Sequence, residues 1–289
     1  MRETNGEKVF NVVNTFFLVL IAIVTLYPVV YVVSASISDP LAVIMGEVIL
    51  LPKNITMEAY GIVFKTRTIW VAYLNTIFYT VFGTAVNMLL TILGAYALSK
   101  KKLPGRRFLN LFVMLTMWIH PGVIPTYLNF LELRLLDTRA SILIGFAINV
   151  FNFVLLRTFF ESVPDSMEEV AKIDGANDMQ ILWSVYIPLS VSAIATITLF
   201  YAVGRWNSYF WAMILFRSDS KVPLQVLLKK LVVDVTKTAS EGAGDIGRSS
   251  VRETVIYSTM VVSMLPMIII YPFIQKFFVK GIMVGAIKG

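Results

Sequence analysis

Between Thr15 and Ser36 the chain passes through apolar and small polar side chains without one charge. A hydrocarbon core of ~30 Å takes roughly 20 helical residues, and inside it a helix bonds its own backbone groups. Six segments reach that length, near residues 15–37, 71–98, 108–130, 140–161, 188–215 and 254–278. The expected fold class is an all-α integral membrane protein of six transmembrane helices, with an N-terminal segment over 1–14 and one transmembrane domain over 15–289. Composition agrees: 57% of the residues are hydrophobic, 15% are charged, and mean hydropathy is +0.76. The first run is long enough to span and no small-residue cleavage site follows it, so a cleaved leader is not expected.

An even number of crossings puts both termini on one side. With the termini inside, inner and outer segments each carry twelve Lys and Arg, but seven of the outer ones lie in the long 217–253 segment. The positive-inside rule weights short loops, so the orientation rests on Lys100, Lys101, Lys102, Arg106 and Arg107, and both termini are expected in the cytoplasm. The excess of 25 basic over 18 acidic residues does not indicate a nucleic-acid partner, because no basic helix interleaved with stacking aromatics accompanies it. The chain has no cysteine, which excludes disulfides, thiolate metal sites and a Cys nucleophile.

The outer segments 39–70 and 217–253 are too polar to span; they are either connectors or surfaces for an external partner. Ser240-Glu241-Gly242-Ala243-Gly244 reads as a flexible run. Between the fourth and fifth spans, residues 162–190 are amphipathic. Asp165 and Glu168 fit a capping box opening a helix after Pro164, with Val170, Ala171 and Ile173 on a buried side and Glu169, Lys172 and Asp174 outside. Gly175 can end that helix in a left-handed turn, and Asn177 or Asp178 can start a second one running to Pro188. Residues 161–178 hold six acidic side chains and one lysine, a poor match to anionic lipid and a better one to a basic protein cleft. An ordinary interfacial linker is the alternative.

Glu169-Val170-Ala171, Gly175 and Val185-Tyr186-Ile187-Pro188 resemble, in spacing, the EAA–G–I-x-L-P signature of the permease subunits of bacterial ABC importers. Asp174-Gly175-Ala176 is similar to the carbohydrate-importer version. Tyr27-Pro28, Ser34 to Pro40, Asn75-Thr76, Gly94 to Ser99, Pro121, Pro125, Leu136-Asp137-Thr138 and Asn152 to Phe160 extend the resemblance to the maltose-type subgroup. The tail, Gln275 to Gly281 and Gly285 to Gly289, resembles the second permease of such pairs.

The resemblance implies that 162–190 forms a cytoplasmic coupling helix, with Glu168, Glu169, Ala171, Asp174, Gly175, Ala176 and Pro188 at the ATPase contact. It implies a second homologous permease, two ABC ATPase subunits that bind ATP and Mg, an extracytoplasmic solute-binding protein, an oligosaccharide substrate and a bacterial inner-membrane location. No cofactor is expected in this chain.

Arg205, Trp206, Asn207 and Tyr209 concentrate polar and aromatic groups in the fifth span. Aromatic faces stack on sugar rings while amides bond their hydroxyls, so these residues are candidates for the substrate path. Related subunits often carry a neutral or imidazole group at the Arg205 position, which suits an acidic sugar. The alternative is snorkelling of Arg205 with an interfacial aromatic belt. Asn149 and Asn152 are path candidates or interhelical bonds. His120, the single histidine, marks a kink or cavity wall beside Pro121 or serves proton coupling.

No G-x-x-x-x-G-K-[ST], H-E-x-x-H or G-x-S-x-G occurs, so neither a catalytic residue nor a metal site is expected. The competing functions are a permease for a non-sugar solute such as a peptide, an ion-driven secondary transporter, which would need carboxylates within spans, and an intramembrane enzyme.

Overall fold

The structure is a computed structural model that describes residues 4–240 and 246–286, with side chains described at 4, 6–233 and 251–272. Among the described residues every regular element is helical. The chain separates into two compact units, Met1–Trp70 with Leu227–Leu265 and Val71–Val226 with Pro266–Gly289.

In the first unit, α1 (Asn5–Ser36) starts at Thr4, whose hydroxyl accepts from the Glu7 amide while Glu7 accepts from the Thr4 amide. These reciprocal bonds satisfy two N–H groups that the first turn leaves free. None of the apolar window in Gly6–Ser36 is buried by the rest of the chain. Asp39 then caps α2 (Pro40–Ile44), and α3 (Glu58–Lys65) follows, so the segment 39–70, expected outside, is partly helical. Ala35, Ala42, Val43 and Val48 form a small core against Tyr31 and Tyr257. The Ser258 hydroxyl donates to the Ser36 carbonyl at 3.0 Å.

α4 (Arg67–Ser99) is one unbroken helix over the expected second span. The expected third span, 108–130, is two helices, α5 (Arg106–Trp118) and α6 (Val123–Glu132), bent by 116°. The physical reason lies at His120-Pro121-Gly122: proline cannot continue the hydrogen-bond ladder, and Gly122 turns with φ +83°. The expected fourth span, 140–161, breaks between α7 (Arg139–Ile144) and α8 (Val150–Glu161), where Asn149 caps α8 by accepting from the Asn152 amide. After α9 (Asp165–Ile173), α10 (Asp178–Ile181), a π-helical turn at Leu182–Tyr186 and α11 (Ile187–Leu189), the chain bends by 87° into α12 (Val191–Trp206). The expected fifth span, 188–215, thus starts at 191 and breaks again before α13 (Phe210–Leu215).

α14 (Leu224–Ser240) and α15 (Ile246–Ala286) complete the order; α15 contains the expected sixth span and Pro266 and Pro272. The run 240–244 lies, beyond Ser240, outside the described residues, as do the side chains of the tail from Gln275 and all of 287–289. By length and composition three described helices can cross a membrane, or up to five when each bent pair counts as one span. Apolar windows count side chains, whereas a span breaks wherever the backbone ladder does.

The second unit packs around two cores. Ala95, Tyr96, Phe153, Leu156, Phe160, Ile181, Leu182, Ile197 and Tyr201 form one. Tyr79, Phe130, Ile142, Leu215, Phe216 and Val226 form the other.

Candidate functional site

The α9–α10 segment is built by local backbone chemistry. α9 ends at Ile173, and Gly175 follows at φ +80°. Its amide bonds the Lys172 carbonyl at 3.0 Å, and the Ala176 amide bonds the Ala171 carbonyl at 2.9 Å, the paired bonds of a Schellman cap. A Cβ at Gly175 would meet nothing within 4 Å, so the backbone conformation, not space, calls for glycine. Asn177 starts α10 through a reciprocal box with Gln180, at 2.8 and 2.9 Å. Pro188 offers no N–H to the Ser184 carbonyl, and the ladder just before it runs in π register.

Two expectations for α9 are corrected. Asp165 and Glu168 form no capping box, because Pro164 is the cap and Asp165 already the first helical residue. Lysines at the end of α4 claim both carboxylates instead: Lys101 bonds Asp165 at 2.6 Å and Lys100 bonds Glu168 at 2.7 Å. The apolar side is not buried either. Val170 is 58% exposed and Ile173 85%, and only Ala171 of that trio packs against the core. The reason is that the inner side of α9 is occupied by Glu168, which reaches Tyr186 as well as Lys100.

Glu168 accepts from Lys100, from Lys172 at 2.6 Å and from the Tyr186 hydroxyl at 2.8 Å. Burial pushes its carboxyl upward, but the bonds from Lys100, Lys172 and Tyr186 outweigh it and hold the group at about 2. The Lys100 ammonium also lies over two rings, 4.1 Å from the Tyr96 centroid and 4.4 Å from that of Tyr186. Glu169 and Asp174 remain outward and exposed, as expected. A cavity of about 400 Å³ opens here between Lys100, Pro104, Phe160, Glu168 and Tyr186. In the sequence Lys100 stands out only as an orientation signal, and Tyr96 only as part of the Gly94 to Ser99 string, with nothing to link either to Glu168.

The second candidate region surrounds Arg205. It is buried, and its guanidinium donates to the carbonyl oxygens of Ile142, Leu143 (3.3 Å) and Phe146 (3.0 Å) and to Asn87 Oδ1 (2.6 Å). The Ile142 and Leu143 carbonyls are among those left open where α7 stops and Phe146 lies in the break that follows, so Arg205 closes a broken helix end instead of snorkelling to an interface. A cavity of about 260 Å³ is lined by Asn87, Asn149, Asn152, Tyr201, Arg205 and Trp211, among others.

Arg205, Asn149 and Asn152 therefore meet, although the Asn149 side chain is engaged in capping α8. Trp206, Asn207 and Tyr209 lie off the lining. Trp206 packs edge-on to Tyr73 with centroids 5.9 Å apart, and the Asn207 amide donates back to Val203 at 3.1 Å. Trp211 belongs to the polar and aromatic stretch 204–211 that the sequence singles out, whereas Asn87 and Tyr201 are not legible as site residues, since single polar or aromatic residues in apolar helices carry no spacing signal. His120 is exposed at the 116° bend, and no group of His, Cys, Asp and Glu able to hold a metal occurs among the described residues.

The Leu136-Asp137-Thr138 string also gains a physical reason. Asp137 sits at φ +53°, gives its amide to Leu215 at 2.8 Å and accepts from Ser218 Oγ at 2.5 Å, the Arg217 and Ser218 amides and Lys221 at 3.0 Å. The Ser218 bonds foremost, then Lys221, hold its carboxyl well below the ordinary range.

Residues 91–284 match the family described as binding-protein-dependent transport system inner membrane component. The chain is 39% identical, over 98% of its length and 99% of the relative's, to the polygalacturonan/rhamnogalacturonan transport system permease protein YtcP of Bacillus subtilis (strain 168). It is 36% identical to Protein LplC of the same organism, over 100% of this chain and 98% of that one. Among solved structures it resembles a chain from a bacterial ABC transporter involved in the import of the acidic polysaccharide alginate. The TM-score is 0.88 and the identity 46%, over 96% of this chain and 99% of that one. The protein thus belongs to the binding-protein-dependent transport system inner membrane components, the permease subunits of ABC transporters.

Proposed function

We propose that this chain is one of two permease subunits of an ATP-driven importer of acidic oligosaccharides. The observation that carries the cargo class is the 39% identity over 98% of the chain to a permease named for polygalacturonan and rhamnogalacturonan transport. The 46% identity to a component of an alginate importer supports it, since both named cargoes are polyanionic sugars. The Arg205 cavity suits such cargo in chemistry: amide and hydroxyl groups for sugar hydroxyls, the Trp211 ring for a sugar face, and a guanidinium charge paired with carbonyls and an amide oxygen. In this reading Arg205, Asn149 and Asn152 line the path, with Trp206, Asn207 and Tyr209 flanking it.

The chain crosses the bacterial inner membrane six times with both termini in the cytoplasm, as one transmembrane domain over 15–289. Segment 162–190 is the coupling element: exposed Val170 and Ile173 enter an apolar cleft of an ATPase subunit while Glu169 and Asp174 meet its basic edge, and Glu168, Ala171, Gly175, Ala176 and Pro188 hold the shape. A second permease completes the path, and two ATPase subunits bind ATP and Mg. Their closure moves the coupling elements and turns the path outward, and a solute-binding protein delivers cargo to the outer segments 39–70 and 217–253. No catalytic residue belongs to this chain.

The test is co-purification of the wild-type complex and Gly175→Arg, with uptake of oligogalacturonate measured under ATP depletion and under a proton uncoupler. Loss of the ATPase with the second permease retained supports the reading. A variant that keeps its ATPase sinks the coupling assignment, and uptake sensitive to the uncoupler but not to ATP sinks the energy source.

A further inference from the structure

α9 has two faces with different chemistry, and only the outer one is accounted for by docking. The inner face carries Glu168, whose side chain is 15% exposed and is bonded from three directions. Lys100, 18% exposed, stands at the end of α4, the helix whose middle supplies Asn87 to the Arg205 cavity. Tyr186 closes the π turn ahead of the 87° bend into α12, the helix that supplies Arg205.

Tyr96 completes the cluster. Its hydroxyl donates to the Asp178 carbonyl at 2.9 Å, and its ring meets that of Tyr186 edge-on at 4.9 Å. Lys100 thus touches Glu168 on α9 and both tyrosine rings at once. A displacement of α9 must either break this cluster or carry α4 and the π turn along.

We propose that Lys100 is a positioning residue that transmits the movement of the coupling segment to α4 and α12 by holding Glu168, Tyr96 and Tyr186 as one rigid junction. The proposal rests on the coupling reading above and adds the inner route to it. A charged junction serves this role well, because cation–π and charge-assisted contacts fix direction as well as distance, and the Lys100 and Glu168 side chains that meet are mostly buried. Exposed Lys101, in contrast, pairs with Asp165 across side chains that are 66% and 63% exposed, where an ion pair contributes little.

The test uses the assembled complex in proteoliposomes with its solute-binding protein, oligogalacturonate as cargo, and Lys100→Met, Lys100→Arg and Lys101→Met variants. Lys100→Met is expected to keep its ATPase subunits and basal Mg-ATP hydrolysis, yet to lose about tenfold in uptake per ATP hydrolysed. Lys100→Arg, which preserves charge and ring contact, restores most of that ratio, and Lys101→Met leaves it near the wild-type value. The proposal is overturned if Lys100→Met transports with wild-type stoichiometry, if it sheds the ATPase, or if Lys101→Met is equally impaired. A wild-type complex without oligogalacturonate uptake overturns the cargo reading and this proposal together, whereas a transporting wild type with an equally transporting Lys100→Met overturns the proposal alone.

Discussion

Replacing Arg205 with methionine keeps much of the side chain's length and removes every donor. Three carbonyl oxygens and the Asn87 oxygen then lose a partner in a buried setting. An unsatisfied buried acceptor costs about 1–3 kcal/mol in water-soluble proteins, while interhelical hydrogen bonds in membranes average about 0.6 kcal/mol because the loosened state finds other partners. Four bonds at roughly 0.6–1 kcal/mol, with some return from no longer burying a charge, give a net loss of about 2–4 kcal/mol. For a unit of this size that lowers the melting temperature by ~5–10 °C. The assay is thermal unfolding of the detergent-purified complex, followed by the monodisperse fraction after heating, with oligogalacturonate uptake in parallel. Arg205→Lys, a point donor in place of a fork, should fall between. Unchanged melting in Arg205→Met would refute the idea that the guanidinium closes the end of α7, whatever happened to transport.

Gly83 offers an independent check, because a Cβ there would stand 3.0 Å from Arg205 Nε and 3.2 Å from Cδ of a side chain already tied down. Gly83→Ala should therefore cost ~1–3 kcal/mol and be clearly milder in an Arg205→Met background, read as non-additive melting shifts; strict additivity would refute the contact. The Glu168 junction has a defined pH window. Its carboxyl is held at about 2 against an ordinary 4.5, so the stabilisation is complete above the ordinary value and is lost as pH falls from 4.5 towards 2. Titration of the carboxyl carbon resonance of Glu168 should show no change between about pH 5 and 8, and a midpoint above ~4.5 would contradict the three-donor geometry.

The turn at Gly175 was legible because everything that makes it is local: a helix end, a left-handed glycine and an Asn–Gln box within four residues. The resemblance to an importer signature rested on the same stretch, which is why it survived comparison with relatives. The inner side of α9 was not legible, since Lys100 lies 68 residues from Glu168 and nothing in either neighbourhood announces the pair. Arg205 was conspicuous, but its partners are mostly backbone carbonyls, which have no letter in a sequence. The break at 119–122 was announced by His120-Pro121, but those at 145–149 and 207–209 were hidden for another reason. Hydropathy reports what lipid tolerates, and a chain whose freed backbone groups are met by Asn149 and Arg205 stays apolar through the break.

α1 leaves its apolar window, up to about Val29, uncovered by the rest of the chain. Its selective pressure therefore comes from its neighbours rather than from its own fold. Where lipid is the neighbour, any apolar side chain will serve, and substitutions drift; where another protein covers a stripe, shape is held at helical spacing. The helix is in effect a written record of what surrounds it, and the pattern of tolerated changes along Phe16, Leu20, Ile23 and Tyr27 can be read to tell a bilayer from a subunit.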